Sequence, residues 1–310
     1  MSHEVRTALH CSGRPQLATD GEHIAAYDPA LVETVLGEAA HLVRHLGFAA
    51  QHIVLIGGIV PSLLVLDPGA GRPHIGTGDL DLCLSLAIVE GDTGEYERIE
   101  VALKKAGYSE TEASFRWRRN EGLGLDVEFF CPAGPDRPSG RMYRPKAAEN
   151  PIAKQNFGSK LAALAIDAGH LIGQDVVEIE HQVTLPDGGG ITMFTFRVTG
   201  LLGFLVAKVA ALTNRDKPKD AYDIVWILEN WPGGPEAAAD HLVQISAFGH
   251  EAVDGAMAML ADKFSTIDEL GPSSYVRFLD NSEASADDRT RWRRQAMGAV
   301  QEFCNKILAD

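Results

Sequence analysis

Ile53-Val54-Leu55-Ile56-Gly57-Gly58 is a short apolar run ending in a double glycine, and Thr77-Gly78-Asp79-Leu80-Asp81-Leu82-Cys83-Leu84 follows it down the chain. The first reads as a strand entering a tight turn, the second as a strand with two acids. Alternate residues of a strand share a face. Asp79 and Asp81 therefore project together, and Leu80, Leu82, Leu84 and Leu86 project to the other side as a buried face. Two like charges side by side call for a cation or strong hydrogen-bond donors. Hard carboxylate oxygens suit Mg²⁺. A solvated edge strand with two acids would fit the pair taken alone; the glycine turn before it and the residues after it point to a site.

Working outward, Asp28-Pro29 reads as the N-cap and first position of a helix with an apolar face from Leu31 to Leu46, stopped by Gly47. Gly57-Gly58 leads into a second helix over Ile59–Leu66, with Pro61 in its first turn. A helix over Glu95–Ala106 and strands at Phe115–Arg119 and Leu123–Phe130 follow. In the last strand, Leu125, Val127 and Phe129 alternate with Asp126 and Glu128. The proline-rich stretch 131–150 reads as a loop or domain boundary. Beyond it, the sequence predicts a helix over Ile152–Ala168 and a hairpin of Val176–Thr184 and Ile191–Val198 about Pro186-Asp187-Gly188-Gly189-Gly190. It then predicts a helix over Gly200–Asn214 capped by Thr199, one from Lys219 to Glu229, and three or four more to the end. The expected fold class is α+β: a mixed sheet flanked by helices, then a mainly helical part. The expected division is an arm over 1–27, a catalytic domain over 28–150, and a helical domain over 151–310 with one hairpin.

Composition narrows the function classes. The chain of 310 residues has 45% hydrophobic residues, enough for a core. It contains no apolar run long enough to span a bilayer and no signal-peptide pattern. Cys11, Cys83, Cys131 and Cys304 form no paired motif and read as reduced thiols of a cytoplasmic protein. A net charge of −15 opposes broad non-specific nucleic-acid binding, though not a local basic groove. Arg116, Arg118 and Arg119, with Arg137, Arg141, Arg144 and Lys146, are local basic spots where an RNA end or a phosphate could lie.

Three groups carry the candidate chemistry. Gly57 and Gly58 offer exposed N–H groups at a helix start, a natural phosphate cradle, to which Ser62 could add a hydroxyl. Asp79 and Asp81, with Asp126 on a nearby strand, could bind one or two Mg²⁺ and polarise a nucleoside triphosphate. Glu128 shares the face of Asp126 and competes for the third place; the shorter Asp126 is preferred. Lys208, in an otherwise apolar helix, either snorkels to water or reaches triphosphate oxygens. Arg215 stands seven residues on, with Lys217 and Lys219 after it. Asp220 and Asp223 either stabilise the start of the next helix or lock Lys208 or Arg215 in place.

Together these residues resemble the AbiEii/AbiGii-type (MenT-like) nucleotidyltransferases of the polymerase-β-like superfamily, over about residues 30–230. Gly57-Gly58 and Asp79-Leu80-Asp81 are the superfamily features; Lys208 and Lys219-Asp220-x-x-Asp223 narrow them to this family. The resemblance implies a mixed-sheet catalytic core followed by helices, and Mg²⁺-dependent transfer of a nucleotidyl group from an NTP to an acceptor hydroxyl. It implies Gly57 and Gly58 on the phosphates, Asp79 and Asp81 on the metal, and Thr77 at a Ser/Thr position two before the first aspartate. It further implies Lys208 on the triphosphate, supported by Asp220 or Asp223. The implied acceptor is a tRNA 3′ end, in a toxin with an antitoxin partner. Two departures fall at the phosphate end: Ile59 directly after the glycines, and Ile75 two before Thr77. The alternatives are a small-molecule, aminoglycoside-like nucleotidyltransferase, which the acidic charge suits, and a non-catalytic nucleotide-binding protein that retains the fold.

Overall fold

The computed structural model describes residues 23–69, 71–85, 93–144, 160–281 and 283–309. Its centre is a mixed sheet of nine strands among the described residues. These are β1 (Ile53–Ile56), β2 (Asp79–Leu84), β3 (Tyr108–Glu110), β4 (Arg116–Arg119), β5 (Asp126–Pro132), β6 (Met142–Tyr143), β7 (Ala163–Ile166), β8 (Val176–Leu185) and β9 (Gly190–Thr199). The order is β3-β4-β5-β2-β1-β9-β8, with β7 joined to both β5 and β6. β1 is antiparallel to β2 and parallel to β9, while β2 and β5 run parallel.

Ten helices are described: α1 (Val32–Leu46), α2 (Val60–Leu64), α3 (Thr93–Lys105), α4 (Gly169–Gln174), α5 (Leu201–Asn214), α6 (Lys219–Asn230), α7 (Gly234–Leu242), α8 (Glu251–Lys263), α9 (Leu270–Leu279) and α10 (Ala286–Ala309). The α+β expectation therefore stands. All four residues of β1 are buried, as a strand covered on both faces requires. In β2 the alternation is literal: Leu80, Leu82 and Leu84 are wholly buried, while Asp79 and Asp81 stand on the other face. Leu86 lies outside the described residues.

Several expectations need correction. A helix was expected over Ile152–Ala168, but Ala163–Ile166 is a strand, pairing in parallel with Phe130–Pro132. Two of its side chains, Ala163 and Ala165, are buried in the core, and small apolar residues read alike as helix or strand without tertiary context. Residues 145–159 lie outside the described part, as does most of the expected arm, residues 1–22. Strands β7, β8 and β9 all enter the one sheet, so hydrogen-bonded pairing crosses the expected division at residue 150, and the helical run begins only after Thr199.

Asp28 caps as expected, accepting from the Ala30 amide at 2.9 Å, but through a 3₁₀ turn (Pro29–Leu31) that leads into α1. Thr199 does not cap α5. Its hydroxyl is buried without a hydrogen-bond partner, and Asp175 accepts from the Gly203 amide at 3.1 Å instead. The hairpin β8–β9 forms with its register running from Val176↔Thr199 to Leu185↔Gly190. Helix α1 packs on β8 so closely that a Cβ on Gly37 would overlap the Thr184 carbonyl. Gly37→Ala should therefore destabilise the fold by about 1–3 kcal/mol, read as a lower urea midpoint with unchanged slope.

Candidate active site

The site forms where β1 ends. Gly57 has φ +75°, a conformation that favours glycine, and its Cα lies directly under the Asp81 carboxylate. A side chain at position 57 would occupy the place of that carboxylate. A Cβ on Gly58 would stand 2.9 Å from Lys219 Nζ and 3.0 Å from the Thr77 side chain. The double-glycine turn is thus held between an acid on β2 and a lysine on α6. Thr77 donates its hydroxyl hydrogen bond to Asp79.

The cations form one cluster, buried at Lys208 and Lys219 and open to solvent at Arg215. Lys208 Nζ lies 2.8 Å from Asp220 Oδ1 and 2.7 Å from Asp223 Oδ2. Arg215 donates from Nε to Asp220 Oδ2 at 2.8 Å and from a terminal nitrogen to Oδ1 at 2.9 Å. Lys219 donates to both oxygens of Asp223, at 2.7 and 3.0 Å. Three cations therefore share two carboxylates, leaving a positive excess beside the acids of β2. Burial opposes the charge on Lys208, but Asp220 and Asp223 outweigh it and raise its pKa. Burial likewise opposes ionisation of Asp223, yet Lys208 and Lys219 hold its carboxyl well below the usual range. Helix α5 ends at Asn214, so Arg215 reaches this cluster from extended backbone.

The acids of β2 feel the opposite imbalance. Burial pushes Asp81 well above the usual carboxylate range, and the charges of Asp79 and Glu128 push it further. Burial also acts on Asp79, but Lys217, the Thr77 hydroxyl and Lys219 outweigh it and hold its pKa down. Lys217 Nζ is 4.0 Å from Asp79 Oδ2. Asp81, Lys208 and Arg215 face one cleft of about 270 Å³, which Gly57, Phe130, Leu164, Ile166 and Phe204 also line. Residues 77–303 match the nucleotidyl transferase AbiEii toxin family of type IV toxin–antitoxin systems. The chain belongs to that family.

No curated protein and no solved structure matches the chain significantly. The AbiEii match takes in Thr77, Asp79, Asp81, Asp126, Lys208 and the α6 acids, begins after Gly57-Gly58, and continues through the C-terminal helices where no motif was expected. Among the described residues, no three His, Cys, Asp or Glu side chains gather into a metal-holding group.

The register places the expected Asp79, Asp81 and Asp126 on one face, but an arginine already holds Asp126. Asp126 stands beside Asp79, and Glu128 beside Asp81. From the other side β4 sets Arg118 against Asp126 and Arg116 against Glu128. Arg118 grips Asp126 with two hydrogen bonds of 2.6 and 2.7 Å, and Arg116 Nε donates to Glu128 at 2.7 Å. Glu128 nonetheless remains in the field of Asp79: burial raises its pKa, Arg116 opposes, and Asp79 adds to the rise. Asp79 and Asp81 fit a hard divalent cation, because two half-buried carboxylates share a face there and Lys217 comes no nearer to Asp79 than 4.0 Å.

Two residues of this cluster were under-read in the sequence. Lys219 is the lysine against the glycine turn. His74, 3% exposed, donates from Nε2 to Asp223 at 2.9 Å and accepts the Gly76 amide on Nδ1 at 3.0 Å. Its only sequence signal was a histidine shortly before the Asp-x-Asp strand. Ser62 points to His74 Nδ1 at 3.5 Å. Ile59 and Ile75 are both buried, so these two departures serve the core.

Burial lowers the His74 pKa to about 4, despite its bond to Asp223. In the unfolded chain it titrates near 6.5. The unfolded state therefore takes up the proton first, so the His74 contribution is present above pH 6.5 and is lost as pH falls toward about 4. Chemical denaturation across that window should show wild type losing stability more steeply than His74→Gln, which retains a donor but cannot titrate there.

Proposed function

We propose that the protein is an Mg²⁺-dependent nucleotidyltransferase that moves a nucleotidyl group from an NTP to an acceptor hydroxyl. One observation carries the reading: Asp81, with Asp79 next to it on the same strand face, lines one cleft together with Gly57, Lys208 and Arg215, whose cluster carries a positive excess. In this reading the Gly57-Gly58 turn receives the triphosphate, with Lys208 and Arg215 supplying charge for its oxygens. Asp79 and Asp81 would hold one or two Mg²⁺, which when bound neutralise triphosphate charge and make the α-phosphorus more electrophilic. Glu128 is the third acid in preference to Asp126, because Asp126 is saturated by Arg118 while Glu128 shares the field of Asp79 and Asp81. The acceptor oxygen bonds to the α-phosphorus, the α–β phosphoanhydride bond breaks, pyrophosphate leaves, and Glu128 takes the acceptor proton.

The acceptor we favour is the 3′-terminal hydroxyl of an RNA such as tRNA. Arg116 and Arg118, about a third and a half exposed, stand on the strand next to the acids and suit a phosphate backbone. The net charge of −15 favours a second reading, a cationic small molecule as acceptor. Family membership supports an antitoxin partner, and the buried free thiols of Cys83, Cys131 and Cys304 support a cytoplasmic location. No helix among the described residues is long and apolar enough to cross a membrane.

Purified protein with α-labelled NTP, Mg²⁺ and either bulk tRNA or aminoglycosides tests the proposal. Label should move to tRNA, and Asp79→Asn or Asp81→Asn should abolish transfer. Glu128→Gln should lower kcat by at least about a hundredfold, and Asp126→Asn by about tenfold or less. Label on the aminoglycoside alone selects the second reading. Nucleotide binding without transfer to either selects a non-catalytic protein.

A further inference from the structure

His74 bonds to both halves of the site without touching the cleft. Its Nδ1 accepts the Gly76 amide, so the ring proton sits on Nε2 and is donated to Asp223 Oδ1. Asp223 is the carboxylate shared by Lys208 and Lys219. Gly76 begins the stretch Gly76-Thr77-Gly78 that delivers Asp79. The ring is also set edge-on to Trp226 of α6, with centroids 4.9 Å apart. Trp226 in turn donates from its indole nitrogen to the Arg72 carbonyl at 3.0 Å. Residues 72–76 are thus fastened to α6 through Asp223, through Trp226 and through a backbone hydrogen bond of Ile75 to Tyr222.

We propose that His74 is a positioning residue that sets the register between the acid strand and the phosphate-facing cations. It orients Asp223, and through it Lys208 and Lys219, while holding the backbone that leads into Thr77 and Asp79. No other described side chain bonds both to this loop and to Asp223. A neutral donor suits the task. A cation there would compete with the two lysines for Asp223, and a side chain without a donor would leave one Asp223 oxygen short of a partner in a dry site.

The effect on nucleotide rests on the nucleotidyltransferase reading; the effect on the loop rests on geometry alone. Two variants separate the ring nitrogens. His74→Gln places an amide donor near the Nε2 position, and His74→Asn keeps only a group near Nδ1. Hydrogen exchange of residues 73–84 in the ligand-free protein reads the loop, and KM for NTP against kcat reads the cations. For His74→Asn we expect exchange about tenfold faster and KM raised about tenfold, with kcat changed less, the size of one lost hydrogen bond to a charged group. For His74→Gln both values should stay within about threefold of wild type. Asn and Gln variants that behave alike overturn the proposal. If wild type transfers no label, the nucleotidyltransferase reading fails, and the exchange measurement still decides the role of His74. If the Asn variant does not fold, nitrogen-detected NMR of the wild-type ring at neutral pH decides: a protonated Nε2 and a bare Nδ1 are expected, and the opposite tautomer overturns the proposal.

Discussion

The carboxylate of Asp223 is fully buried and accepts from Lys208, Lys219 and His74, which come from α5, α6 and the loop before β2. A charge so far from water is tolerated only while every partner is in place, and removing one partner of a buried pair costs about 3–5 kcal/mol. The three elements are therefore not free to move apart independently. Asp220 repeats the device one helical turn away with Lys208 and Arg215. Because Lys208 belongs to both pairs, the two carboxylates act as one joint. That joint fixes where the cations stand relative to the glycine turn.

On the other side of the cleft the sheet register does comparable work. Parallel pairing of β2 with β5 puts four acids on one face in two rows, and β4 meets the outer acid of each row with an arginine. Asp126 and Glu128 are answered by Arg118 and Arg116, while Lys217 stands at the limit of ion-pair distance from Asp79. The electrostatic demand of the face is thus concentrated on the inner pair, next to Gly57. The acidic chain places its compensating charge locally, where it shapes this demand.

Much of this was readable from residues. The leucine and aspartate alternation of β2, the hairpin about Pro186–Gly190, and the amphipathic run of α1 are local patterns with one dominant physical solution. Ala163–Ile166 was misread because a short run of small apolar residues carries no period of its own, and only its pairing with β5 makes it a strand. Thr199 was misread as a cap because the competing acceptor, Asp175, comes from a distant part of the chain. The role of His74 was hidden for the same reason: its partner Asp223 is 149 residues away.

The sequence by itself determined the α+β class and the Asp79–Asp81 pair on one strand face after a glycine turn. These follow from spacing along one element, where side-chain direction is set by strand or helix period. Only the tertiary structure decided which carboxylates were already taken. Asp126 is gripped by Arg118, and Asp220 and Asp223 are shared among three cations, because strand register and helix packing bring distant charges within bonding distance. Pairing between such charges depends on a separation in space that no periodicity encodes. It is this pairing that turns a set of plausible ligands into a cleft lined together by Asp81, Lys208 and Arg215.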